Sequence, residues 1–394
     1  MIRIIYLVFQ PLEEGLSGQR GYQMKSKVLV IYLPQFHVIP ENDKWWGEGF
    51  TEWTNVKRGK SFYRGHYQPR EPLHDDYYDL SDLKVLEKHT RMAQKAGIFG
   101  FCFYHYYFRG RTLLEKPIEQ YRSRSKEAFP YCLIWANQSW ERTWYRADSK
   151  NSVLLQQSYG GKEDWKKQFY YLLNFFKDER YIKVNNKPVY IIYIPQDIRC
   201  RRAMFHLWNN MAKEYGFDGI YLIAMKTTFG MDQKTELYDG YMDFEPLFTI
   251  REDRSWRKWV QKRKQYMRKK GFVGKVAVDN EYTYRYLSNK AIRRFQKSDK
   301  KIYAGVFVGW DNTARKDEDG IIVHGSTPRN FARVVSRGLY LSERKNKEFL
   351  FINAWNEWSE GAYLEPDKRY GYAYLELLKK VVQIYQQGKN KYYG

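Results

Sequence analysis

Cysteine is nearly absent from this chain. The three present among 394 residues, Cys102, Cys132 and Cys200, have neither metal-site spacing nor the pattern of a disulfide framework. That excludes a disulfide-stapled scaffold and points to a reducing compartment. No strand-like run is followed by GxGxxG or a P-loop, which argues against a nucleotide-binding sheet. The apolar stretch within Met1–Gln10 is too short to cross a bilayer. Pro11-Leu-Glu-Glu14 follows it in place of a small-residue cleavage site. HxH and HExxH spacings are missing too, so a metal centre built from His37, His105 and Glu245 has nothing to support it. No repeat or low-complexity linker divides the chain. The expectation is one cytoplasmic α/β domain over residues 27–390, with residues 1–26 as a tail or an upstream start.

Two things are abundant. Aromatic residues make up 18%, with 13 Trp and 36 Tyr. Tyr and Trp carry polar tips that need partners, so a core cannot absorb them all, and a surplus of rings suits a carbohydrate cleft. Positive charge is the second excess, a net +23. Between Arg251 and Lys301 stand 18 Lys and Arg against 5 Asp and Glu, a local surplus of 13. Interleaved with Trp256, Trp259, Tyr266 and Phe272, these cations read as a basic helical insertion at about 251–300. Such a stretch suits an anionic membrane leaflet or a pyrophosphate-bearing substrate. No nucleic-acid-binding motif accompanies it, so nucleic acid is not expected as a partner.

Eight apolar, β-rich runs alternate with helical segments. They are Lys27–Leu33, Gly97–Tyr104, Tyr131–Trp135, Pro188–Ile194, Gly219–Ala224, Gly240–Phe244, Ile302–Val308 and Phe349–Ile352. Runs that are nearly continuous rather than alternating indicate strands buried on both faces of a parallel sheet. Helices are expected at Leu80–Ala96, Asp164–Lys177, Ala203–Tyr215, Asn330–Ser342 and Ala373–Gln387. This order predicts a (β/α)8 TIM barrel with the basic insertion before strand seven; an open doubly wound sheet is the alternative.

Polar and aromatic residues collect just past these runs, where a barrel keeps its active site. Run one leads to His37, then to a loop with Trp45, Trp46, Glu48, Glu52 and Trp53. Run two ends at Tyr104 and His105, run three at Trp135, Asn137, Gln138 and Trp140. Run six is followed by Glu245, and run seven by Trp310 and Asp311. These, with Asn356 and Trp358, are the expected substrate-binding residues. Run eight delivers Glu357 and Glu360, three residues apart and on one side of a helical turn. Paired carboxylates beside indole rings are what glycosyl chemistry needs. One handles the proton on the leaving oxygen, the other generates or stabilises the attacking group, and flat rings hold the sugar. The bland alternative is a helix start whose first-turn glutamates complement the dipole, with tryptophans as core.

The segments Tyr32-Leu-Pro-Gln-Phe-His37, Trp46-Gly-Glu-Gly-Phe-Thr-Glu-Trp-Thr-Asn55, Tyr104-His-Tyr-Tyr107, Trp135-Ala-Asn-Gln138 and Asn356-Glu-Trp-Ser-Glu-Gly361 carry a resemblance. From about Lys27 onward the chain resembles the WbsX-like glycosyltransferases of bacterial O-antigen and capsule loci, relatives of glycoside hydrolase family 99. That resemblance implies a (β/α)8 barrel, glycosyl chemistry with no metal or cofactor, and an oligosaccharide or lipid-linked glycan as partner. It also implies a retaining mechanism in which Glu357 deprotonates the sugar's own 2-hydroxyl and Glu360 acts as general acid, then base. The tryptophan-rich loop from Trp45 to Trp53 belongs to the WbsX-like group, so the mannose specificity of the hydrolases is not implied. Nor does any motif mark a nucleotide-sugar site. The reading is therefore a retaining glycosyl-transfer enzyme of surface polysaccharide assembly. Its rivals are a retaining endo-acting hydrolase and a non-catalytic glycan-binding barrel.

Overall fold

The computed structural model describes residues 24–141, 153–227, 236–253, 280–299 and 301–387, together with Arg263, Tyr266 and Met267. Eight parallel strands form its centre: β1 (Lys27–Tyr32), β2 (Gly100–Phe108), β3 (Tyr131–Trp135), β4 (Lys187–Ile192), β5 (Tyr221–Lys226), β6 (Gly240–Asp243), β7 (Ile302–Phe307) and β8 (Phe349–Asn353). Each pairs in parallel with the next. β8 returns to β1 in the register Val28↔Leu350, so the sheet closes. All eight expected runs are barrel strands. Their uninterrupted apolar character follows from burial on both faces; every residue of β2, β3 and β8 is buried.

Helices cover the outside. In Leu83–Lys95 the Asp82 carboxylate accepts from the Lys84 N–H (2.9 Å) and caps the start, while Leu86, His89, Thr90 and Ala93 turn inward. Pro328–Arg344 begins with proline in its first turn behind Thr327, whose hydroxyl accepts from the Asn330 N–H. The five expected helices are present with ends shifted by a few residues. The domain holds one departure. Residues 284–297, expected within the basic insertion, form a barrel helix that buries Tyr284, Leu287, Ala291, Ile292 and Phe295. The cations and rings of the stretch from Arg254 to Lys262, and Lys269, Lys270 and Phe272, lie outside the described residues, as do residues 1–23. Among the described residues no helix is long and apolar enough to cross a membrane.

Candidate active site

The segment after β8 is not a helix start. Asn356–Glu357 pairs with Ala362–Tyr363 as a short antiparallel hairpin, and Trp358–Glu360 is one 3-10 turn at its tip. Residues three apart eclipse in such a turn, which leaves Glu357 and Glu360 to share one opening. Gly361 ends the turn at φ 63°, and a Cβ there would meet the Asp311 backbone nitrogen at 2.9 Å; glycine is required on both counts. The hairpin is fastened to the barrel. The Asn356 side chain accepts from the Leu33 N–H (2.8 Å) and donates to the Leu33 carbonyl (2.9 Å). The Trp355 N–H donates to Ile31 O (2.8 Å), and the Asp311 N–H to Glu360 O (2.7 Å).

Glu357 and Glu360 line a cleft of about 450 Å³ at the carboxyl ends of the strands. Arg315, on a short helix after β7, lies between them. Its Nη1 donates to Glu360 Oε1 (2.8 Å), and its Nη2 stands 3.6 Å from Glu357 Oε2. The same guanidinium bonds Glu52 Oε1 through Nε (3.0 Å) and Nη2 (2.7 Å), and the Ser359 hydroxyl donates to that oxygen as well. Three carboxylates therefore meet one cation. Burial, then the neighbouring Glu360, pushes the Glu357 carboxyl well above the usual range; Arg315 opposes this and Glu52 adds to it. Glu360 is raised by burial too, against the pull of Arg315. Two adjacent carboxyls in low dielectric cannot both ionise freely, so the pair retains a proton at pH values where an ordinary glutamate has lost it.

The expected binding residues divide into three groups. Trp46, Tyr104, Gln138 and Trp140 line the cleft. Trp45 backs it, its ring edge-on to Trp140 at 5.5 Å. A second group supports the cleft from behind. Glu52 is 1% exposed and holds Arg315. Asn137 ties β3 to the loop after β4 by two hydrogen bonds, to Ile194 O and the Ile194 N–H, and donates to the Tyr159 hydroxyl as well. Asn356 clamps β1 as described.

The third group departs from expectation, because it lies outside the cleft lining, with many of its polar tips spent on the scaffold. Trp53 donates to Tyr78 O and Trp135 to Tyr107 O. Trp358 stacks on Tyr363 at 3.8 Å and donates to Glu365. His105 is hydrogen-bonded to the Tyr190 hydroxyl (2.7 Å), and burial lowers its pKa to about 3. His37 Nδ1 lies 3.0 Å from Pro34 O, and Glu245 is paired with Arg294. His37, His105 and Glu245 are thus held separately on the scaffold. Glu48 is exposed outside the cleft lining, while Trp310 and Asp311 line a neighbouring pocket. The indole of Trp358, expected to meet a sugar, instead braces the hairpin, and Trp355 packs against Phe101 in the core.

Sequence reasoning missed Arg315, the centre of the site, as well as Gln35, Tyr106 and Tyr193 in the cleft wall. Tyr106 accepts from Gln35 Nε2 (3.0 Å), and its ring meets Trp140 edge-on at 5.3 Å. The Tyr104-His-Tyr-Tyr107 run held the Tyr106 signal, since successive residues of a strand end point to opposite sides. Arg315 had none; it is one of 68 cations.

Comparison with known proteins gives a consistent picture. The chain is 34% identical over 364 residues to the uncharacterised protein WxcX of Xanthomonas campestris pv. campestris, in two strains. The match takes in 91% of this chain, which spans about half the length of those curated relatives. Among solved structures it is similar to the GH99 endo-alpha-mannosidase of Bacteroides thetaiotaomicron (12% identity, TM-score 0.52, covering 92% of this chain and 98% of that one). A glycoside hydrolase-like protein is similar at 13% identity and TM-score 0.54, covering 93% and 97%. At such identities the likeness is one of fold, a (β/α)8 barrel. The family described as "Glycosyltransferase WbsX" matches residues 28–378. The chain belongs to the WbsX glycosyltransferase family.

Proposed function

We propose that this protein is a retaining carbohydrate-active enzyme of bacterial surface polysaccharide assembly, with Glu357 and Glu360 acting on one glycosidic bond. The observation that carries the reading is the arrangement of these two carboxyls. Both face one cleft, share one guanidinium and are pushed up by burial. A carboxyl that keeps its proton near neutral pH can deliver it to a leaving oxygen, and its ionised neighbour can accept one from a sugar hydroxyl. Following the family resemblance, Glu357 takes the proton of the sugar's 2-hydroxyl as that oxygen attacks the anomeric carbon. Glu360 meanwhile protonates the departing oxygen, then activates the acceptor. Burial raises both carboxyls, so this order requires the shared proton to sit on Glu360 once the sugar is bound. Trp46 and Trp140 supply apolar faces for the ring.

The acceptor decides between the two enzyme classes: a sugar hydroxyl makes a transferase, water a hydrolase. The basic stretch around 251–279 favours a glycan carried on a lipid pyrophosphate at an anionic membrane surface, within the cytoplasm. Incubation of purified protein with lipid-linked oligosaccharide, with and without nucleotide sugars, tests the reading by mass spectrometry. Gain of a sugar means transfer and loss means hydrolysis. Retained binding without change of mass would leave a glycan-binding barrel and overturn the enzymatic reading.

A further inference from the structure

A second pocket of about 230 Å³ opens beside the cleft. The segments Glu360–Gly361 and Gly309–Asp311 stand between the two, joined by the Asp311 N–H to Glu360 O bond. The two carboxylates in its wall are already engaged. Asp311 Oδ2 lies within hydrogen-bond distance of His66 Nε2 (2.9 Å), Gln68 Nε2 (3.0 Å) and Arg70 Nη2 (3.3 Å), and its Oδ1 accepts from the Thr313 hydroxyl (2.6 Å). Asp367 accepts from the Tyr363 hydroxyl (2.8 Å) and the Tyr370 N–H (2.6 Å).

The donors are in the opposite condition. The Trp310 indole N–H and Arg70 Nε are buried and have no hydrogen-bond partner among the described residues, although Trp310 is only 1% exposed. An unpaired buried donor costs free energy that a bound acceptor would recover. Two guanidinia also converge on one ring: Arg70 stands 4.9 Å and Arg369 5.1 Å from the centroid of Tyr67. Arg369 is exposed, and among the described residues no carboxylate pairs with it. Asp311 already pairs with Arg70, which leaves Arg369 as the guanidinium open to an anion, and guanidinium forks match carboxylate and phosphate oxygens.

We infer that this pocket binds an oxyanion carried on a single sugar unit, the carboxylate of a uronic acid or the phosphate of a sugar phosphate. Engaged carboxylates and idle N–H donors select a ligand rich in acceptors. The size points the same way, since pockets for larger ligands run from roughly 300 to 1,000 Å³. The inference deepens the proposed function by making the glycan acidic and placing its charged unit next to Glu360. It is read by binding rather than turnover, so loss of one reading leaves the other standing.

The test is isothermal titration of the full chain with glucuronate, glucose 1-phosphate, inorganic phosphate and glucose. At least one sugar anion should bind about tenfold or more tightly than both glucose and inorganic phosphate, and which one binds identifies the oxyanion. Added salt should weaken binding. Arg369→Gln, at an exposed position, should weaken it about tenfold, the loss expected of one charge-assisted contact, with an unchanged melting temperature. Failure of both sugar anions to bind, equal binding of glucose or of free phosphate, or an indifferent Arg369→Gln variant would each overturn the inference.

Discussion

Two buried ionic clusters lie at the carboxyl ends of these strands, and they are built on opposite principles. In one, at the end of β6, Asp243, Glu245 and the more exposed Glu252 meet two cations, Lys226 and Arg294. Lys226 lies 3.2 Å and Arg294 Nε 3.0 Å from Asp243, and Arg294 Nη2 holds Glu245. Thr249 donates to Glu245 and accepts from Arg294. None of its three carboxylates lines the cleft. In the other, Glu52, Glu357 and Glu360 share one cation in ion-pair contact among the described residues, Arg315, and two of the three open into the cleft. Burial raises carboxyls in both places, Glu245 to about 7 despite its direct ion pair. The difference is the balance of charge. The better-matched cluster fixes the shape of the rim. The less matched one holds a proton at pH values where an ordinary glutamate has lost it, at a cost in stability.

The largest expected effect separates the clusters by activity. Glu357→Gln and Glu360→Gln should each lower turnover by about 10²–10⁴-fold, the range of general acid–base catalysis. Glu245→Gln should leave the turnover of the folded protein within about threefold of wild type. Mass-spectrometric rates on one glycan check all three.

Stability should separate them the other way. Arg294→Ala strands the buried Glu245 and leaves Asp243 with Lys226 alone of its two described partners, and should cost about 3–5 kcal/mol in denaturant unfolding. Arg315→Ala should cost less, because the carboxyls around it can take up protons. Its signature should be a pH–rate profile displaced upward, since Arg315 is the group opposing the rise of both Glu357 and Glu360.

A smaller effect concerns the sign of the pH dependence. A carboxyl whose folded pKa exceeds its unfolded value near 4.5 contributes stability that is full below 4.5 and is lost as pH rises toward the folded value. Glu357, Glu360, Glu245 and Glu365 (about 8) all act in that direction. Glu357→Gln removes one of them, and its melting temperature at pH 8 should exceed that of wild type by about 2–4 °C. A variant less stable than wild type at that pH would mean the Glu357 carboxylate is well solvated or well paired. Smallest is Trp140→Ala. Loss of its apolar face, worth about 0.5–1.5 kcal/mol, should raise KM by about three- to tenfold with kcat retained.

The barrel was legible because its signal is periodic and local. Apolar runs such as Pro188–Ile194 are long, uninterrupted and set off by polar helices, so burial on both faces was written in composition. The helix at 284–297 was hidden by its own charge. Leu287, Ala291 and Phe295 keep helical spacing, yet Arg293, Arg294 and Lys297 made the stretch read as surface. Arg294 is in fact spent inside the rim. The site was legible only where chemistry and sequence neighbourhood coincide, as at Glu357 and Glu360. Glu52 and Arg315, 263 positions apart, meet only after the barrel closes, and no local pattern encodes that encounter. Aromatics misled in a systematic way. Trp53, Trp135 and Trp358 follow strand ends as Trp140 does, but each found a backbone or carboxylate acceptor and turned inward.

The central claim is that the less matched cluster keeps a proton at neutral pH. Carbon-13 carboxyl NMR of glutamate-labelled protein, titrated from pH 4 to 9 and assigned with Glu357→Gln and Glu360→Gln, tests it directly. The account predicts that the Glu357/Glu360 pair still holds one proton near pH 7, and that the carboxyl left in either variant titrates lower than in wild type. Two carboxyls that are both fully ionised by about pH 5 would contradict it.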